Sequence, residues 1–145
     1  MLDCDEFINA DEIARGLSPL NPERAAIEAG RLMLTKIVQK AKEQGYQITL
    51  VYFWLASVEL ALERVQTRVL EGGHNIPEPV IIRRYYSGLI NLFNLYLPIC
   101  DYWMIFDNSV SPSELIAEGY PGDEIEIINH SRFETLKNQK YDKER

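Results

Sequence analysis

Ile48-Thr49-Leu50-Val51-Tyr52-Phe53-Trp54-Leu55 is apolar at almost every position. A strand with one wet face alternates apolar and polar side chains. A run without alternation reads instead as a strand covered on both faces, and such strands belong to parallel sheets. Tyr102-Trp103-Met104-Ile105-Phe106 is a second run of this kind, ended by Asp107-Asn108-Ser109. Parallel strands need a long crossover, and helices are predicted between the two. Ser57 can cap one whose apolar stripe is Val58, Ala61, Leu62, Val65 and Val69, and Gly72-Gly73 ends it. The next runs from Pro77 to about Leu95, before Pro98.

Upstream, Phe7-Ile8-Asn9-Ala10 reads as a short strand, and Asn21-Pro22-Glu23 opens a helix that Gly45 closes in the left-handed conformation. Downstream, Ser111-Pro112-Ser113-Glu114 has capping-box spacing and predicts a short helix. Pro121-Gly122-Asp123 is a turn, and Glu124 to Ile128 a last strand. Strands alternating with helices give an α/β domain with a mostly parallel sheet over residues 1–136, followed by a polar, frayed tail over 137–145.

The chain has 145 residues, 46% hydrophobic and 26% charged, which are globular proportions for one domain. A net charge of −7 argues against nonspecific nucleic-acid binding, which needs a basic face, and against docking on anionic lipid. The acidic start, Met1-Leu2-Asp3-Cys4-Asp5-Glu6, lacks the basic and apolar regions of a signal peptide, and no stretch is apolar for long enough to span a bilayer. The expected location is cytoplasmic. Cys4 and Cys100 fit one disulfide or two reduced thiols, and the reduced pair suits that compartment.

Four of nine arginines, Arg64, Arg68, Arg83 and Arg84, fall within 21 residues around Gly72-Gly73-His74-Asn75-Ile76-Pro77, while no lysine occurs between Glu43 and Leu136. Guanidinium forks bind phosphate oxygens in pairs and keep their charge when desolvated. Arg64 and Arg68, four apart, share a helix face. The pattern reads as a hinged arginine lid over a polyphosphate, or as a solvated helical hairpin whose arginines pair with carboxylates. His74 in the loop could touch a phosphate or a base, or serve the turn. Asn9-Ala10-Asp11-Glu12 follows a strand end, where α/β sheets bind ligands. Asp11 there could accept a hydroxyl proton or position Mg²⁺, or simply cap a helix. Asp107 and Asn108 offer the same choice between ligand contact and turn. No zinc-ligand spacing and no nucleophile elbow is present.

Taken in order, these segments resemble the zeta-toxin family of P-loop kinases. Phe7-Ile8-Asn9-Ala10-Asp11-Glu12-Ile13-Ala14 looks like its Asn-Ala-Asp segment, and Ala29-Gly30-Arg31-Leu32-Met33-Leu34 like the helix after it. Gly45-Tyr46 with Tyr52-Phe53-Trp54-Leu55 resembles its central strand. Arg64-Val65 through Arg68-Val69, Gly72 to Pro77, Arg83-Arg84-Tyr85 and Asp107-Asn108-Ser109 resemble its lid and last core strand. The likeness covers roughly residues 7–130. It implies a P-loop kinase-like sandwich around a parallel sheet, and transfer of the ATP γ-phosphate to a hydroxyl of an acceptor such as UDP-N-acetylglucosamine. ATP and Mg²⁺ would be the cofactors, and an antitoxin protein a partner. By the same likeness Asp11 would be the general base, with Asn9 and Glu12 beside it at the acceptor. Arg68 and Arg83 or Arg84 would neutralise the phosphates in the transition state, with Arg64 and His74 also on the nucleotide.

Two family segments have no counterpart. The phosphate-cradling G-x-x-x-x-G-K-[ST] loop is absent, since none of the eight glycines precedes a lysine. The strand that carries a Glu-Thr-Thr-Leu motif is also missing: Thr35 to Lys42 runs straight into Gly45-Tyr46. The expectation is a shortened fold of three or four strands, with apolar faces exposed where neighbours are missing. Its transfer activity would be weak or lost, leaving as the alternative a nucleotide- or protein-binding remnant.

Overall fold

The computed structural model describes Gly16 and residues 22–139. The chain divides into two units, Met1–Ile48 and Thr49–Arg145. In the first, helix α1 spans Pro22–Glu43. Its end is a Schellman motif, in which Gly45 takes φ +82° and the Gly45 and Tyr46 amides bond to Lys42 O and Ala41 O. The expected start at Pro22 and the stop at Gly45 both hold.

The second unit begins with strand β1, Thr49–Trp54. Helix α2 is Val58–Leu70, and its N-cap Ser57 accepts the Leu60 N–H at 3.2 Å. Helix α3, Glu78–Asn91, continues through a π-helical turn, Leu92–Tyr96, into a last α turn, Leu97–Ile99. The helical path therefore passes the expected stop before Pro98. The π turn resets the ladder, so Pro98 enters the first turn of a new piece, where no N–H is required. Strands β2 (Tyr102–Asp107), β3 (Glu114–Gly119) and β4 (Glu126–Ile127) follow, then helix α4, His130–Gln139.

The sheet order is β1-β2-β3-β4. Only β1 and β2 are parallel; β3 and β4 add in antiparallel fashion. The domain is α/β as expected, but the mostly parallel sheet is corrected to a mixed one. The capping-box helix at Ser111–Glu114 is corrected as well. Glu114, which would close a capping box begun at Ser111, instead begins β3, and the Ser113 hydroxyl donates to Asn108 Oδ1 at 2.8 Å. The last strand appears only as Glu126–Ile127. The tail is helical as far as Gln139, because Phe133 and Leu136, three apart, are both buried.

β1 is an edge strand among the described residues, so its two faces differ. Leu50, Tyr52 and Trp54 point inward in register with Trp103, Ile105 and Asp107. Val51 and Phe53 are 44% and 56% exposed on the other face, where Phe53 stacks on Phe106 at 5.4 Å. The expectation that β1 is covered on both faces is corrected. On the inner face α3 comes close enough that a Cβ at Gly88 would stand 3.3 Å from the Tyr52 hydroxyl.

Candidate functional site

Ligands of α/β sheets sit beyond the carboxyl ends of parallel strands, here beyond the register partners Trp54 and Asp107. Asp107 is fully buried. Its Oδ1 accepts the Ser109 N–H at 2.8 Å, and its Oδ2 lies 3.1 Å from Arg132 Nε of α4. A buried carboxylate demands such a cation, so charge holds α4 onto the end of β2.

Gln139 makes a second clamp. Its Oε1 accepts the Trp54 indole N–H at 3.1 Å, and its Nε2 donates to Ala56 O. The Tyr85 hydroxyl of α3 sits between that same Oε1 and Leu55 O, at 2.8 and 2.7 Å. The two strand ends are also tied to each other. Ser109 Oγ accepts the Ala56 N–H at 2.7 Å, and the Asn108 N–H donates to Trp54 O at 2.8 Å. Asp107, Asn108 and Ser109 therefore brace the fold. Burial, chiefly, raises the Tyr85 phenol above its ordinary range and pushes Tyr52 up to about 12, so both stay protonated.

The arginines separate. Arg64 donates to Asn108 O, which brings α2 to the end of β2. Arg68 follows one turn later and is exposed. The turn after it is a Schellman motif: Gly72 has φ +93° and bonds to Val69 O, and Gly73 bonds to Arg68 O at 2.8 Å. A Cβ on Gly73 would stand 2.7 Å from Arg68 O and 2.9 Å from its Cγ. The Gly-Gly pair thus lets the chain fold back tightly against Arg68.

Leu62, Val65 and Val69 face Ile76, Pro77 and Ile81 across an apolar hollow of about 500 Å³ between α2 and α3. With about 100° of turn per residue, Arg64 and Arg68 leave α2 about 100–160° around the helix from Leu62 and Val69. Arg83 and Arg84 are exposed on α3. Among the described residues no ion pair neutralises Arg68, Arg83 or Arg84. His74 is exposed on the turn. Asn9, Asp11 and Glu12 lie outside the described residues. Among those described, no group of three His, Cys, Asp or Glu residues is placed to hold a metal ion.

Arg132 and Gln139 are the residues that sequence reasoning missed, and Tyr85 was singled out only beside Arg83 and Arg84. Arg132 carried no motif, and Gln139 sat in what read as a polar tail. The usable signal was the Phe133–Leu136 spacing, which marks a helix with a buried side.

Among known proteins the chain is similar to one from Haemophilus influenzae described only as an uncharacterized protein. The two are 32% identical over a match that takes in 54% of this chain and 73% of the relative. No family profile matches the chain. No solved structure matches it. Among the described residues no helix is long and apolar enough to cross a membrane.

Proposed function

We propose that this chain, which belongs to one family with the Haemophilus influenzae protein, is a shortened zeta-toxin-type kinase domain. In this reading it binds a nucleotide through its phosphates and transfers phosphate weakly or not at all. The observation that carries the reading is Arg68. It is exposed, has no carboxylate partner among the described residues, and stands one turn from Arg64, which is bound to the end of β2. The tight Gly72-Gly73 turn holds the backbone against it. A guanidinium so placed is free to take two phosphate oxygens. In the same reading Arg83 or Arg84 joins Arg68 in neutralising the phosphates, and His74 contacts the nucleotide. Asp11 is the base toward a sugar hydroxyl of a nucleotide-sugar acceptor, flanked by Asn9 and Glu12.

Thermal unfolding with and without Mg-ATP tests the proposal. Saturating nucleotide is expected to raise the midpoint by several degrees, about what ligand linkage gives in a domain of this size. Arg68→Ala is expected to remove the shift without changing the unligated midpoint. A native chain that ignores Mg-ATP overturns the reading. Residual transfer to UDP-N-acetylglucosamine, followed with γ-labelled ATP, is expected near background and to vanish in Asp11→Asn while the ATP shift remains. A second reading, a protein-binding remnant with an antitoxin-like partner, is favoured by the exposed Val51 and Phe53 beside Phe106.

A further inference from the structure

At the opposite end of β2 from Asp107 lies a groove of about 500 Å³ between the end of the α3 path and the β3–β4 turn. Its floor is Trp103, buried across Gly119, where a Cβ would stand only 2.9 Å from the indole Cζ2. One wall is Leu97 and Pro98, and the other Tyr120 and Ile125. The lip is the Pro121-Gly122 turn, with Gly122 at φ +85° and the Asp123 N–H bonded to Tyr120 O. Tyr120 is held in place: its ring lies 5.0 Å from that of Tyr102, whose hydroxyl donates to Glu118 at 2.5 Å. Two apolar groups remain in water there, Tyr120 at 57% exposure and Ile125 at 44%.

The turn and strand that form one wall of this groove carry charge of one sign. Between Arg84 and Arg132 the chain has no lysine or arginine and seven acidic residues. Of these, Asp123, Glu124 and Glu126 are exposed on the turn and strand that bear Tyr120 and Ile125, and Glu118 orients Tyr102 behind them. An apolar trough with an aromatic wall and an acidic rim suits an apolar side chain flanked by cations, one of which can stack on the Tyr120 ring.

We infer that this groove docks a cationic segment of a partner protein, with one aliphatic anchor seated over Trp103 and lysines or arginines on the Asp123–Glu126 rim. The inference uses none of the arginines of the nucleotide reading and stands or falls apart from it. The probe is a fluorescein-labelled nonapeptide, a central leucine between two runs of lysine, followed by anisotropy on the full chain. Binding is expected in the range of about 10–500 μM, weakening as salt is raised. A glutamate-flanked leucine peptide is expected not to bind. Tyr120→Ala and the double variant Glu124→Lys/Glu126→Lys replace exposed side chains and are expected each to cost about tenfold or more. Three results overturn the inference: no binding of the lysine–leucine peptide at about 1 mM, equal binding of an all-lysine nonapeptide, or unchanged affinity in Tyr120→Ala.

Discussion

Asp107 decides how the end of the sheet is built. It is fully buried and closes an apolar strand, so its charge must be met inside the protein. Ser109 supplies an N–H and Arg132 the cation, from a helix that begins 23 residues later in the chain. The pair's net worth against an apolar replacement is small, but removing one partner strands the other. Arg132→Ala is therefore expected to destabilise the chain by about 3 kcal/mol or more in urea unfolding. Adding Asp107→Asn to Arg132→Ala is expected to recover part of that loss, because the amide carries no charge. If the double variant is no more stable than the single one, the stranded charge is not the cause. Sequence alone marked Asp107 as a strand-end residue and left open whether it met a ligand or a turn. Its partner was invisible because an ion pair across separate elements leaves no local spacing.

Elements whose ends are set by neighbouring residues were readable from the chain. Ser57 caps α2 with its own oxygen, and Gly45 and Gly72 take the positive φ that a Schellman ending requires. β3 was misread for a related reason. Ser111-Pro112-Ser113-Glu114 has the spacing of a cap at Ser111, but Glu114, which would close the box, pairs with Asp107 in the ladder to β2 and is held extended. A cap is a local bargain that tertiary pairing overrides. Nor did the pattern of β1 reveal that one face stays open, because exposure depends on which strands stand beside it. β3 itself depends on a glycine. Gly119→Ala would place a methyl group 2.9 Å from the buried Trp103 indole, closer than side-chain carbons approach one another. We expect a loss of about 1–3 kcal/mol, typical of overpacking, together with a changed near-UV signal from Trp103. The same substitution at Gly122 touches nothing, but its φ of +85° disfavours alanine. It is expected to cost about 1 kcal/mol and to leave the Trp103 signal unchanged.

At the scale of the whole unit from Thr49 onward, the fold buries one face of its sheet and keeps protonated phenols there. Tyr52 lies on that inner face. Desolvation, then the neighbouring Tyr96, pushes it up to about 12. Tyr85, between Leu55 O and Gln139, is raised further by burial. Tyr102 reaches about 12 for another reason, since the Glu118 carboxylate that accepts its proton would repel a phenolate. All three titrate near 10 once unfolded. The unfolded chain therefore loses these protons first as pH rises, and the stability they contribute is whole below pH 10 and drains away as pH climbs from about 10 toward 12. Acid has no such effect through these groups. The expected result is a falling thermal midpoint across that window, with native phenolate absorbance at about 295 nm lagging behind that of the urea-unfolded chain. Glu118→Gln removes the charged acceptor and is expected to bring Tyr102 down toward 10 while leaving the Tyr52 and Tyr85 lag in place. A native titration that overlays the unfolded one would mean that water reaches the inner face beneath α3.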